Sequence, residues 1–356
     1  MELTKQQIKT TKGVAILFML LLHLFCTKQF EGLFQPIILV GQVPLIYYLA
    51  LFGDCCVAIY CFCSGYGMYF SYKNSKESYK NNNRKRIFKL YLNSWIILFV
   101  FVVLIGAITG KFNIIGEGFN DFLLTVILIS PAYNGAWWFL TTYIILVLIS
   151  LLIFNSIDAY DWQIVSVISF ILYFIAYVQR IKGVLIVDNE IISWIIKQGA
   201  LLGTSQLPFI IGGFFCKYKV YSIIQQRIST NKYKNFICLT IIIGMIIFHG
   251  FIETLFIAVF TGVVFICVFN IIDKAKWIEK SLNFIATYST NLWLIHMFVY
   301  ITYLKEVVYY PRYSFLIFPL FLTICLILSI GIQSINKFIV DSILSKSKIK
   351  VRNQLY

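Results

Sequence analysis

Lys12-Gly13-Val14-Ala15-Ile16-Leu17-Phe18-Met19-Leu20-Leu21-Leu22-His23-Leu24-Phe25-Cys26 is an almost unbroken apolar run with one cation at its start and one imidazole near its end. Runs of this kind recur along all 356 residues, and several exceed the roughly 18 residues that mark a membrane-crossing helix. Only 13% of residues are charged while 60% are apolar. A soluble chain carries about 25% charged residues to cover its surface. The solvent of this chain is therefore lipid, and the expected fold is an all-α, polytopic transmembrane bundle of about ten helices. Spans are expected near 13–30, 50–71, 90–110, 136–155, 162–179, 199–216, 235–252, 254–272, 284–304 and 314–336. No cleavage site of small residues follows the first run, so it reads as a retained helix.

The formal net charge of +15 is not the mark of a nucleic-acid partner. The Lys and Arg residues sit in short blocks between apolar runs, as membrane topology requires. Such blocks precede the first run (Lys5, Lys9, Lys12) and follow the second (Lys73 to Lys89). Others follow the sixth (Lys217 to Lys234) and close the chain (Lys346 to Arg352). With ten alternating spans these fall on one side, which places both termini in the cytoplasm and the protein in the plasma membrane. Glu117, Asp121, Asp188, Glu190 and Glu306 fall on the other side. Leu33 to Leu45 reads as a re-entrant or interfacial stretch, and Asp121 to Ser130 and Val184 to Ile196 as shorter apolar runs, either interfacial or packed against the bundle. No repeat or long loop divides the chain, so one domain, 1–356, is expected. Cys55, Cys56, Cys61 and Cys63 lack the spacing of a zinc or redox motif and read as packing residues; no metal is expected.

An ionisable residue inside an apolar helix is costly and usually faces the bundle interior. Lys12 and His23 are eleven residues apart, nearly the same helix face and about 16 Å along the axis. An imidazole there can take a proton from a hydroxyl or carry an acyl group; equally, it can bond a neighbouring helix. Asp54, at the start of the second run, can orient an imidazole or bind a sugar hydroxyl, or simply favour a helix N-terminus. Arg84, Arg86 and Lys89 either meet anionic lipid or dock a phosphorylated cofactor. Trp137 and Trp138 belong either to an interfacial belt or, with Tyr143, to a surface that stacks on sugar. His296 is a second imidazole within an apolar run. His249 and Glu253 are four residues apart, but a turn between two spans makes them a weak metal pair.

Five segments in this order resemble the acyltransferase-3 family of bacterial membrane proteins. The first is Lys12 with His23. The second is Cys56-Val57-Ala58-Ile59-Tyr60-Cys61-Phe62-Cys63-Ser64-Gly65. The basic turn Arg84, Arg86 and Lys89, the start Trp138-Phe139-Leu140 and the late Ser289 to His296 complete the set. Lys12 stands for the usual Arg, Cys56 for Gly, and Tyr60-Cys61 for Phe-Phe. The resemblance implies an O-acetyltransferase that takes acetyl groups from acetyl-CoA and places them on a capsular or other cell-surface polysaccharide, or on a lipid-linked glycan. It implies His23 as base or acyl carrier with Asp54 and His296 in support. Lys12, Arg84, Arg86, Lys89 and Ser64 would meet the acyl-CoA donor, and Trp137, Trp138 and Tyr143 the glycan acceptor. The alternative from another class is a polysaccharide exporter or flippase, which would also be polytopic with a polar inner path. Membrane lipid, donor and acceptor are the expected partners; the oligomeric state is left open.

Overall fold

The computed structural model describes residues 2–112 and 118–352, with side chains through 340. Glu117 and the side chains of the basic tail Lys346 to Arg352 lie outside the described residues. The main helices are α1 (Lys5–Phe25), α2 (Cys56–Asn74), α3 (Lys76–Leu98), α4 (Trp138–Ala159), α5 (Trp162–Lys182) and α6 (Glu190–Tyr218). They continue with α7 (Lys234–Phe251), α8 (Ala258–Ile271), α9 (Lys276–Thr287), α10 (Ser289–Met297) and α11 (Ser314–Arg352). Short helical turns extend several of them, so that α2 begins effectively at Leu45 and α3 runs on to Thr109.

All ten expected apolar stretches fall on helices. Among the described residues, eight helices are long and apolar enough to cross a bilayer. The ninth stretch is a pair, α9 and α10 with its π-helical continuation, bent by 61° at Tyr288. The tenth, Leu255–Ile271, is shorter. Large apolar side chains stay exposed along α5 and α7, among them Ile168, Ile171, Ile175, Phe236, Ile243 and Ile247. Such a surface has lipid as its solvent.

Two segments take local forms that the sequence pattern did not specify. Within Leu33 to Leu45 the chain forms a tight antiparallel hairpin, Leu39–Val40 against Val43–Pro44. Gly41 supplies the left-handed residue of its turn, φ +63°. Within Val184 to Ile196, residues from Glu190 onward belong to α6 instead. The Asn189 side chain accepts from the backbone N–H groups of Ile191 and Ile192, and this cap starts the helix there.

Contacts cluster into two compact units. The first comprises Met1–Arg84, Phe139–Thr287 and Arg312–Ser314. Here α1 is opened by a capping box, in which Thr4 and Gln7 exchange side-chain and backbone hydrogen bonds. It packs against α9 and against the turn that precedes α2. The α2–α6 pair is the tightest seam. A Cβ on Gly65 would overlap the Phe209 carbonyl oxygen, and one on Gly212 would overlap that of Phe62. Small residues here let two helix backbones touch, the usual way helices associate in lipid. Phe18, Phe52 and Phe265 pack edge to face at centroid distances of 5.0–6.0 Å and fill the space between α1, α2 and α8.

The second unit comprises Lys85–Trp138, Tyr288–Pro311 and Phe315–Tyr356. A ladder of buried amides ties α3, α10 and α11 together. Asn93 donates to Asn291 Oδ1 at 2.6 Å, Asn336 donates to Asn93 Oδ1 at 3.0 Å, and Asn291 donates to the Ser329 carbonyl at 3.1 Å. Asn134 and the Trp137 indole both donate to the Leu294 carbonyl.

Candidate functional site

The first unit holds a polar cluster at the end of α1 that carries His23. Two close approaches set its geometry. Gly53 has no room for a Cβ, because the Phe18 carbonyl and the Leu22 side chain occupy that space. The turn Phe52–Cys55 is thus pressed against the last turns of α1, with Asp54 beside the segment that leads to His23. His23 lies in the last turn of α1 and is partly buried. At the opposite end, Tyr60 donates to the Lys12 carbonyl at 3.1 Å and fixes α1 against α2.

Asp54 does orient an imidazole, and it is that of His249. Asp54 Oδ2 accepts from His249 Nε2 at 3.0 Å. The His249 side chain is fully buried and that of Asp54 is 10% exposed. The Phe52 ring meets the imidazole edge to face at 6.2 Å. The other ring nitrogen of His249 is Nδ1. Neither that Nδ1 nor Asp54 Oδ1 has a hydrogen-bond partner among the described residues, although both are buried.

Asp54 also lines a cavity of about 30 Å³, together with Arg180, Tyr173, Tyr177, Thr204 and Ser205. This is room for one or two water-sized groups. Arg180 donates to Thr204 Oγ1 at 3.0 Å, Tyr173 donates to the Phe256 carbonyl at 2.7 Å, and the Tyr177 hydroxyl is hydrogen-bonded to that of Thr254 at 2.6 Å. A carboxylate, a guanidinium and two phenols around one small void can bind and polarise a hydroxyl.

Glu253 takes a separate partner. Lys28 Nζ lies 2.7 Å from Glu253 Oε2, and Tyr47 donates to the same oxygen at 3.0 Å. His249 and Glu253, four residues apart, therefore serve two different contacts. Cys26, just past the end of α1, feels this surrounding charge. Burial pushes its thiol up to about 11, with the Asp54 and Glu253 carboxylates adding to the rise and Lys28 opposing it.

The other expected site residues are distributed as follows. Ser64 is buried on α2, beside the Gly65 seam. Lys12 and Tyr143 are partly buried in the first unit, with the Tyr143 ring 6.0 Å from that of Phe139. Arg84 is exposed at the edge of that unit, while Arg86 and Lys89 continue along α3 in the second. His296, Trp137 and Trp138 belong to the second unit. His296 is fully buried, its Nδ1 donates to the Trp293 carbonyl at 2.6 Å, and its ring stacks on Tyr300 at 6.1 Å. Trp137 is 2% exposed, its indole N–H committed to Leu294, and Trp138 is partly buried.

Sequence reasoning passed over the Asp54–His249 pair and Arg180. The signal was present: each is an ionisable residue near the end of an apolar run, and such residues find one another. What the sequence lacked was the pairing, because 195 positions separate the two members of the pair. No curated protein and no solved structure matches this chain. A family model described as an acyltransferase domain, acyltransferase-3, matches residues 6–333. That span contains all five ordered motifs together with Asp54, Arg180 and His249. The chain is a membrane protein of the acyltransferase-3 family, and it is an acyltransferase.

Proposed function

We propose that this acyltransferase moves an acetyl group from cytoplasmic acetyl-CoA to a hydroxyl of a cell-surface polysaccharide or lipid-linked glycan. The observation that carries the reading is the polar cluster at the His23 end of α1, in which Asp54, Arg180 and two tyrosines surround a void the size of a hydroxyl. His23 takes the proton of the acceptor hydroxyl as its oxygen bonds to the acyl carbon. The carbon–sulfur bond breaks, and the departing thiolate receives that proton, so His23 ends as it began. Asp54, held by His249, and Arg180 orient the acceptor. Lys12, on the same face of α1 and about 16 Å away, meets the donor on the cytoplasmic side. The acyl centre thus lies about halfway across the hydrocarbon core, roughly 30 Å thick, from the end at which the donor enters.

The test is proton NMR of surface glycan from cells carrying the wild-type chain or His23→Ala at matched membrane abundance. Polymer present without O-acetyl methyl signals supports the scheme. Polymer that keeps those signals overturns it, and polymer lost from the surface points to export instead.

A further inference from the structure

Two exposed apolar segments of the first unit lie at the His23 end of α1. In and just before the first strand of the hairpin, Ile37, Ile38, Leu39 and Val40 are each 50–62% exposed. Leu39 and Val40 are consecutive strand residues, so their side chains point to opposite faces. A hairpin that rests on a protein surface in water alternates apolar and polar positions. This one is apolar and exposed on both faces, so it has lipid on both sides. The second segment, Val184-Leu185-Ile186-Val187, follows α5 and is exposed throughout, Ile186 at 86%. Gln179 pins its backbone at Leu185: the side chain donates to the carbonyl at 3.1 Å and accepts from the N–H at 2.8 Å.

Both segments are tied to the candidate site. Phe34, at the root of the hairpin, is buried and packs edge to face on Phe25, two residues past His23, at 5.2 Å. The turn after α7 joins the two sides. Glu253 bonds Lys28 and Tyr47, while its neighbour Thr254 bonds Tyr177, which lines the Asp54 cavity. On α7 the lipid-facing residues Ile243, Ile247 and Phe251, spaced by four, run up to this turn. Leu45 and Leu49 are exposed on the helical turn that packs beside α7. The two segments therefore continue a surface already in lipid. Their irregular backbone cannot lie at hydrocarbon depth, which sets them at the boundary between headgroups and acyl chains. Arg312 and Tyr313 are residue types of that zone. They are exposed at the hairpin base, where the Gln35 N–H donates to the Arg312 carbonyl at 2.7 Å.

We infer that the acceptor reaches the site sideways from the bilayer, as a glycan still attached to a membrane lipid whose apolar chain lies against Ile37–Val40 and Val184–Val187. This deepens the function proposed above and rests on it. A free polymer arriving from water would need polar and aromatic walls to hold its sugars, and neither segment supplies them. A lipid anchor uses what is there: apolar side chains at the depth of its own chain, next to the turn that ends at the cavity.

The experiment follows labelled acetyl groups in cells. Cells carrying the wild-type chain receive a short pulse of radiolabelled acetate and are separated into solvent-extracted lipid and polymer. Mild base then releases ester-bound acetate, which is distilled away from fatty acids and counted. Label that depends on this chain is expected in the lipid fraction at the earliest times, whether or not it later moves into polymer. Label that enters polymer from the start, with none in the lipid fraction at any time, overturns the inference. Ile38→Asp and Ile186→Asp, at matched membrane abundance, should each slow labelling about tenfold, because a carboxylate at that depth repels the chain. Gln42→Asp, at the already polar hairpin tip, should label like wild type. Wild-type rates in both apolar-segment variants overturn the inference. So does loss of a dimer on gel filtration in those variants, since a second copy would then be what covers the segments. If His23→Ala abolishes labelling and the wild-type label bypasses lipid, the inference fails alone. If His23→Ala labels like wild type, the underlying function fails instead.

Discussion

Replacing Asp54 by Ala should destabilise the protein far more than replacing both members of its pair by apolar residues. The structure sets the scale. His249 is fully buried and its one described hydrogen bond is to Asp54, whose own side chain is 10% exposed. Removing the carboxylate leaves an imidazole in an apolar setting with no acceptor for its N–H. Breaking a buried pair from one side costs about 3–5 kcal/mol, whereas exchanging both partners for well-packed apolar groups is often close to neutral. Asp54→Leu with His249→Phe is the suitable double variant, because Phe52 and Phe265 already offer aromatic edges there. Melting of detergent-purified protein, followed by gel filtration, should rank Asp54→Ala lowest and the double variant near wild type. The coupling should exceed about 2 kcal/mol, well beyond the roughly 0.5 kcal/mol within which independent sites add. Additive effects would refute the reasoning, since they would mean that neither group depends on the other. Acyl transfer supplies a second readout: the double variant should fold and yet transfer poorly, having lost the carboxylate that lines the cavity.

Gly212→Leu should destabilise the first unit by at least about 1–3 kcal/mol, because its side chain would collide with the α2 backbone at Phe62. Gly67→Ala, two residues from the seam and facing open space, should be neutral or slightly stabilising in the same melt. Asn93→Leu should cost about 1–3 kcal/mol, since it strands the amides of Asn291 and Asn336; loss of cooperativity in unfolding would register it. The Cys26 thiol, raised to about 11, should react slowly with maleimide at pH 8 and faster as pH climbs through that value. Asp54→Asn removes one of the charges that raise it and should speed labelling at fixed pH, so an unchanged rate would contradict the placement.

The helices were legible because lipid imposes a strong and simple rule: a crossing segment must satisfy its backbone internally and present apolar side chains outward. That rule located every apolar stretch from Val14 onward, including the one that breaks at Tyr288. It could not foresee the break, which depends on local geometry between Thr287 and Ser289, nor the hairpin around Gly41. Site residues were legible one at a time as ionisable groups in apolar runs, which singled out His23, Asp54 and His296. Their partners were not. Asp54 meets His249, and Glu253 meets Lys28, through helix packing that has no signature at the level of spacing.

The close approach of α2 and α6 at Gly65 and Gly212 has a bearing on how genetic screens of this protein would be interpreted. Ser64-Gly65 stands within one of the segments that carry the resemblance to the family, and such residues attract substitution in any search for the catalytic machinery. Any bulkier residue at Gly65 would wedge α2 away from α6 and abolish transfer without touching donor, acceptor or proton. A loss-of-function phenotype at that position would report on steric fit between two backbones, and an alanine scan that ignored protein abundance would assign it a chemical role it does not have.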